Sequence, residues 1–367
     1  MFDALNLSMH EADLMKVDYL IVGQGLAGTL LAHFLRQGGQ KVVVVDDGNP
    51  CAASKVTLGL MNPIMGRKMK KAWKVETIYP FAKKTYQAIG DHFGEPLYFS
   101  KNILRIFLDE KQKKIWSEKE NLPEYKPYIA VPQQGQIYEP WLDLSPGWVE
   151  ITQSGHVLVN RLLSLYRSHL AENQALVQEQ FTPAQLQLRQ DRVVWQGIEA
   201  RKIIFCEGHK ARENPFFAGL HFAATKGETL TIKVQALPEE RIIHKGIFLL
   251  PLGQGLFKVG ATHNWNDLTE TFTDAGKNEL VAKLESLLKV PFEIVAYQVG
   301  VRPTLITRKP VLGLHPEHPQ VGIFNGLGSK GVSRAPFFAW QFAAFLQNQT
   351  PLDPEVDLEQ LRWLKPS

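Results

Sequence analysis

Gly23, Gly25 and Gly28 stand in the spacing G-x-G-x-x-G within Val17-Asp18-Tyr19-Leu20-Ile21-Val22-Gly23-Gln24-Gly25-Leu26-Ala27-Gly28, where a short apolar run leads straight into the glycines. That spacing suits the cradling of a pyrophosphate. Gly23 permits a tight turn and Gly25 lets the backbone approach the phosphates, with Leu26 and Ala27 opening the helix that follows. Gly28 lets that helix pack closely on the strand, and its N-terminus offers unpaired N–H groups and the positive end of a dipole. A glycine triplet alone is weak; its surroundings make it specific. Leu30, Leu31, Phe34 and Leu35 recur at helical spacing, Gly38-Gly39 stops the helix, and Lys41-Val42-Val43-Val44-Val45 reads as a second buried strand. It ends at Asp46, with Asp47 beside it, eighteen residues past Gly28. An acid is expected to meet a ribose hydroxyl at about 20 residues past the last glycine. This complete strand–helix–strand unit predicts a dinucleotide site.

The elements that must position these residues are set by length and pattern. At 367 residues the chain has room for two domains. Hydrophobic residues at 44% and charged ones at 21% are ordinary for a globular protein, and a net charge of +4 is no signature of nucleic-acid binding. The two cysteines, Cys51 and Cys206, are not in C-x-x-C spacing, which argues against a disulfide framework and a zinc site and fits a cytoplasmic location; no metal site is expected. The first sixteen residues carry Asp3, Glu11 and Asp13, lack a basic start and an apolar core, and do not read as a secretory signal. No apolar run reaches the ~18 residues of a membrane span.

Residues 16–48 form the Rossmann-like start, followed by a small-residue stretch from Asn49 through Ser54 and Gly59 to Pro63 that is suited to run beneath a cofactor. The pattern predicts a helix over 75–93, strands over 102–108, 135–139 and 147–152, and a charged helix near 109–121. An amphipathic helix is predicted over 155–170, then a three-strand meander over 175–181, 185–189 and 192–196. Lys202–Gly208 reads as a buried strand, 222–300 as strand-rich with a helix near 274–289, and 322–331 as a strand and glycine turn leading into a helix over 336–346. The expected fold class is mixed α/β: a Rossmann-like domain and a discontinuous, β-sheet-rich substrate domain. The expected boundaries are 16–75, 154–215 and 309–350 for the first, 76–153 and 216–308 for the second, and 1–15 as an N-terminal extension.

A single glycine motif disfavours a reductase with separate FAD and NAD(P)H sites. Taken in order, GQGLAG at 23–28, the strand end at Asp46, the Ser54–Gly59 loop, IIFCEGH at 203–209, TKGETLTI at 225–232, FKVGATH at 257–263, GVRPTLITRKPVLG at 300–313 and FNGLGSKGVSRAP at 324–336 resemble one family. It is the superfamily of FAD-dependent D-amino-acid oxidases, glycine oxidases and sarcosine oxidases, and the resemblance covers nearly the whole chain from residue 16. The C-terminal GLGSKGVSRAP is most similar to the oxidoreductase half of the bifunctional bacterial enzyme that trims carboxymethylaminomethyl-uridine in tRNA, although this length leaves no room for that enzyme's methyltransferase half. Cys206-Glu207-Gly208 departs from the Ala-Ala-Gly or Ala-Thr-Gly usual in the family.

The resemblance implies FAD, held by Gly23, Gly25, Leu26, Ala27, Gly28, Asp46, Asp47, Ser54, Gly59, Gly208, Gly326, Leu327, Gly328, Ser329, Lys330 and Gly331. It is expected to be non-covalent, because no cysteine follows Cys206 to tether it. In such enzymes the flavin accepts a hydride equivalent from a carbon beside an amine nitrogen, leaving an imine that hydrolyses. The glycine turn at 325–336 suits the negative charge arriving on the flavin, and Lys330 adds a cation unless it is simply exposed to solvent. Arg302 resembles the family's carboxylate-binding arginine, whose fork makes two parallel bonds that a lysine does not reproduce; the alternative is a structural pair with an interdomain acid. His263 ends a strand near the implied pocket, though hydride transfer from an unprotonated amine needs no base and a polar loop role is the simpler reading. Cys206 reads as a small buried hydrophobe.

The leading expectation is therefore an enzyme oxidising the C–N bond of a carboxylate-bearing amine, an amino acid or N-substituted glycine. The alternatives are the same chemistry on a modified tRNA nucleoside, a silent flavin-binding protein and a NAD(P)-linked dehydrogenase. Arg67, Lys68, Lys70, Lys71 and Lys74, with Lys83 and Lys84, would form the phosphate-contacting face of a tRNA enzyme, but read more simply as a solvated surface. A small-molecule partner is favoured over tRNA; oligomeric state is not legible.

Overall fold

The computed structural model describes residues 14–361; most of the expected N-terminal extension lies outside them. The first strand, Met15–Val22, is buried on both faces over its second half, as a central parallel strand must be. It pairs in parallel with Val42–Val45 on one side and Ile198–Phe205 on the other, Leu20 lying opposite both Val43 and Ile203. Leu176–Val177 extends the sheet beyond Val42–Val45, and Val321–Asn325 adds in parallel to Ile198–Phe205. The helix Leu26–Gln37 buries Leu30, Leu31 and Leu35 against this sheet and against the long C-terminal helix Gly331–Asn348. Five parallel strands thus aim their carboxyl ends the same way, where ligands of such sheets bind.

A second sheet of seven strands runs in the order Glu293–Arg302, Thr225–Lys233, Leu256–Gly260, Ile247–Gly253, Ile242–Lys245, Ile103–Ile106 and Trp148–Ile151. All pairs are antiparallel except Ile242–Lys245 with Ile103–Ile106. Strand periodicity divides its faces. Leu230 and Ile232 pack with Leu249, Phe257 and Leu280 and Leu284 of the helix Asp274–Glu285, whose N-terminus is capped by Thr273. Gly227 and Thr229 point the other way, into a cavity. The mixed α/β class and the sheet-rich second unit follow directly.

Three local expectations are corrected. Gly135–Tyr138 is a 3₁₀ turn rather than a strand. Gly155–Val157 is a strand, and the helix starts only at Val159, running to Glu172. Gly155 is pressed so closely on Phe99 that a Cβ would lie 2.4 Å from its carbonyl oxygen, and this pairing outweighs the helical periodicity. Leu176–Val177 does not join a meander; it leaves the helix Val159–Glu172 to pair in parallel with Val42–Val45, while Gln187–Leu188 and Val193–Trp195 alone fold back antiparallel onto Ile198–Phe205.

Candidate functional site

A cavity of about 520 Å³ lies between the carboxyl ends of the parallel strands and the glycine-bearing face of the second sheet. At its first end, Gly23 has φ near +100°, and a Cβ on it would sit 2.6 Å from the Cys206 carbonyl oxygen. A Cβ on Gly28 would come within 1.9 Å of the Gly23 carbonyl oxygen. The turn and the close helix packing therefore both demand glycine. The Leu26 amide donates to Ser54 Oγ at 3.0 Å and the Thr29 amide to the Gly25 carbonyl at 2.9 Å, while the Ala27 and Gly28 amides come too early for a partner within the helix.

Asp46 is tied down. One carboxylate oxygen accepts from the Gln24 amide at 2.8 Å, the other from the Gly48 amide at 2.9 Å and from Arg167 Nη1 at 2.8 Å. Asp47 takes Lys210 at 2.9 Å. Burial alone would raise the Asp47 carboxyl, but the Asn49 amide and Lys210 hold it below the ordinary range. Glu207 is different: burial pushes its carboxyl up to about 7, against the opposing pull of the Asn214 side chain, which donates to it at 2.7 Å.

The other end is cationic. Arg302 closes the edge strand Glu293–Arg302 and lays its guanidinium across Gly227, where a Cβ would lie 2.1 Å from Nη2. Its Nη1 and Nη2 each donate to the Thr262 carbonyl at 3.2 Å, and Nη1 also reaches the Lys226 carbonyl and His263 Nδ1 at 3.4 Å. Among the described residues no carboxylate stands within ion-pair distance of it. Burial lowers its pKa to about 10, and burial, followed by Arg302 and Lys330, holds His263 near 4, so that ring is neutral and accepts from Arg302. Lys330 ends the 3₁₀ turn Gly328–Lys330 before the C-terminal helix and lines the cavity, its Nζ donating to no described group. Burial, then Arg334, Arg302 and Arg105, lower it to about 8.

Of the residues singled out in the sequence, Gly23, Gly25, Leu26, Ala27, Asp46, Asp47, Ser54, Gly208, Leu327, Gly328, Ser329, Lys330, Gly331, Arg302 and His263 line one continuous cavity. Gly28, Gly59 and Gly326 stand behind its wall: a Cβ on Gly59 would meet the Val157 carbonyl at 2.1 Å, and one on Gly326 the Leu305 side chain at 2.6 Å. Cys206 is buried at its strand end, its thiol pushed up by burial. The basic run is largely paired: Arg67 with Asp109 at 2.7 Å, Lys71 with Glu76 at 2.5 Å, and Lys74 with Asp353.

Sequence reading missed Arg167, Lys210 and a patch of three glycines. Gly227 and Gly300 are register partners, and Gly260 pairs with Thr229 on the next strand. Gly300 makes room for the Cys51–Val56 segment and Gly260 for Leu58, so the small-residue loop slides along the sheet. A lone glycine inside a strand pattern marks such a close approach, and Gly227 carried that signal.

The chain matches the family of FAD dependent oxidoreductases over residues 18–345. It is 24% identical over 372 aligned positions to the uncharacterized oxidoreductase YurR of Bacillus subtilis, covering 91% of this chain and 96% of that one. It is 25% identical over 306 positions to the tRNA 5-methylaminomethyl-2-thiouridine biosynthesis bifunctional protein MnmC of a Marinomonas species, covering 75% of this chain but only 44% of that protein. The solved glycine oxidase from Bacillus cereus superposes with a TM-score of 0.77 at 17% identity, over 91% of this chain and 96% of its own. The chain belongs to the FAD dependent oxidoreductase family, and FAD is its cofactor. The residues present fit that group. A glycine turn that a Cβ would fill, a first helical turn with free amides and an acid at the second strand end open on one cavity that continues to the glycine patch. Among the described residues no helix is long and apolar enough to cross a membrane.

Proposed function

We propose that the chain oxidises the C–N bond of an amine bearing a carboxylate, an amino acid or an N-substituted glycine. The observation that carries this reading is Arg302, a cation in the cavity wall whose only partners among the described residues are two backbone carbonyls and a neutral imidazole. A guanidinium so placed has charge left for a carboxylate, and its planar fork fixes the orientation of what it holds.

FAD, held without a covalent link, supplies the acceptor for a hydride equivalent from the carbon beside nitrogen. Gly23, Gly25, Leu26, Ala27 and Ser54 hold its pyrophosphate side, and Asp46, braced by Arg167, meets its ribose. The 328–331 turn and the start of the helix Gly331–Asn348 place partial positive charge at the far end. Arg302 anchors the substrate carboxylate, while neutral His263 keeps the guanidinium in place and takes no proton from the amine. The glycine patch lets the Arg302 guanidinium and the 51–58 loop lie close on the sheet at the edge of the cavity.

The test is the FAD-loaded Arg302→Ala variant. Loss of one desolvated charge-assisted pair is worth about 3 kcal/mol, on the order of 100-fold in kcat/KM for a carboxylate substrate. Retained FAD with that loss supports the reading; loss of FAD as well makes Arg302 structural. Reduction of the bound flavin by glycine, sarcosine or a D- or L-amino acid identifies the substrate. The similarity to MnmC favours a second reading, the same oxidation on a modified tRNA nucleoside. The ion pairs that consume Arg67, Lys71 and Lys74 count against it, and binding to tRNA that weakens steeply with salt would restore it.

A further inference from the structure

We propose that the substrate carries a second anionic group, and that Lys330 holds it while Arg302 holds the first. The inference rests on the reading of Arg302 given above and extends it to a substrate class, an amine with two acidic groups.

The distribution of charge along the cavity wall points there. Five acids line it, Asp46, Asp47, Glu179, Glu207 and Glu213, and all follow the carboxyl ends of the parallel strands, at the nucleotide end. None comes from the elements that carry Arg302 and Lys330. Among the described residues Lys330 Nζ has no hydrogen-bond partner, although it lines the cavity. The charged groups within its electrostatic reach are Arg334, Arg302 and Arg105, all cations. Arg105 is fully buried, its Nη1 and Nη2 donating to the carbonyls of Ile64 and Gly66 at 2.8 and 2.6 Å and its Nε to no described group; Arg334 donates to the Arg308 carbonyl at 2.7 Å. No acid in that shell offsets this charge.

A single carboxylate is geometrically satisfied by the two parallel N–H groups of one guanidinium. That leaves Lys330 as a half-buried compact point charge in the cavity wall with no counter-ion among the described residues, and a charge drawn partly out of water without a partner is costly to keep. A monocarboxylate would relieve only Arg302. A second anionic group on the same molecule relieves both, and the cationic shell of Arg105 and Arg334 strengthens its hold.

The experiment compares two four-carbon acids that differ only in the second carboxylate, butyrate and succinate, as ligands of the FAD-loaded protein. Binding is read from the perturbation of the flavin absorbance. Succinate is expected to bind at least ~10-fold more tightly, about one ion pair's worth of affinity. Lys330→Met should lose at least ~10-fold more affinity for succinate than for butyrate, about one ion pair's worth, and Lys330→Arg should restore part of that difference. Equal affinity for the two acids in the native protein overturns the proposal. So does an equal loss of both in Lys330→Met with a lowered flavin midpoint potential, which assigns Lys330 to the reduced flavin. Either result leaves the Arg302 reading standing, provided Arg302→Ala abolishes both ligands. If neither acid perturbs the flavin, that reading and this one fall together.

Discussion

At the Asp46 end of the cavity the acids at the second strand end are closed by cations from the chain itself, Arg167 and Lys210, whereas at the Arg302 end the cations face no carboxylate among the described residues. The first end is organised before anything binds. Backbone amides and a braced acid hold a ligand that brings its own phosphate charge, so excess side-chain charge there would only bias the turn. The second end stores positive charge until an anion arrives. On the proposed reading, affinity there would come from neutralising that charge, and discrimination from how many anionic groups a substrate brings.

The largest effect breaks the first end. A methyl on Gly28 would overlap the Gly23 carbonyl oxygen, a backbone atom that cannot step aside. Overpacking typically costs about 1–3 kcal/mol, and the upper end is expected where a backbone atom is in the way. Gly28→Ala should therefore purify without yellow colour and unfold at a lower temperature than the native protein, even with FAD added. A stable, FAD-saturated Gly28→Ala protein would show that the turn is not the cofactor's anchor.

The matching change at the second end is smaller. Gly227→Ala puts a methyl where the Arg302 guanidinium lies, and a long side chain can shift where a carbonyl cannot. FAD should stay bound with its absorbance intact, while kcat/KM for the preferred substrate falls on the order of 100-fold, the penalty for a misplaced anchor. Equal loss of cofactor and turnover would erase the distinction between the two ends.

The same contrast governs what could be read from sequence. The first end is local. Gly23 to Asp46 spans one strand–helix–strand unit, and its glycine spacing together with the apolar runs beside it implies strand, turn and helix, which the structure holds at Met15–Val22, Leu26–Gln37 and Val42–Val45. The helix Val75–Phe93 was equally plain from its periodicity. The second end is assembled from segments far apart in the chain. Arg302 is oriented by the carbonyls of Lys226 and Thr262 on neighbouring strands, and Gly227 matters only because Arg302 crosses it. Arg167 sits on an amphipathic helix where any exposed arginine looks alike, and only the pairing of Leu176–Val177 with Val42–Val45 brings that helix over Asp46. The misread strand at Gly155–Val157 fails for the same reason, since its partners are Leu60–Met61 and Tyr98–Ser100.

Glu207 gives the smallest effect and tests the ordered end from inside. It stands where the chain departs from its family's usual small residue, with Asn214 as its hydrogen-bond donor, Lys210 turned toward Asp47, and Glu213 and His209 nearby. Burial raises its pKa to about 7, so between the ordinary glutamate range and pH 7 the folded chain keeps a proton that the unfolded chain has released. Stability contributed by the neutral form is thus present at low pH, falls as pH climbs through that window and is gone above about 7. Glu207→Gln keeps an oxygen for Asn214 and removes the titration. At pH 8, with FAD in constant excess, the variant should melt about 2 °C or more above the native protein, and the gap should close toward pH 5. The FAD affinity of the native protein should also weaken above pH 7 as a second negative charge appears beside the glycine turn, and that of the variant should not. A gap that is the same at both pH values would mean the carboxylate is solvated in place, and the ordered end tolerates charge as freely as the other.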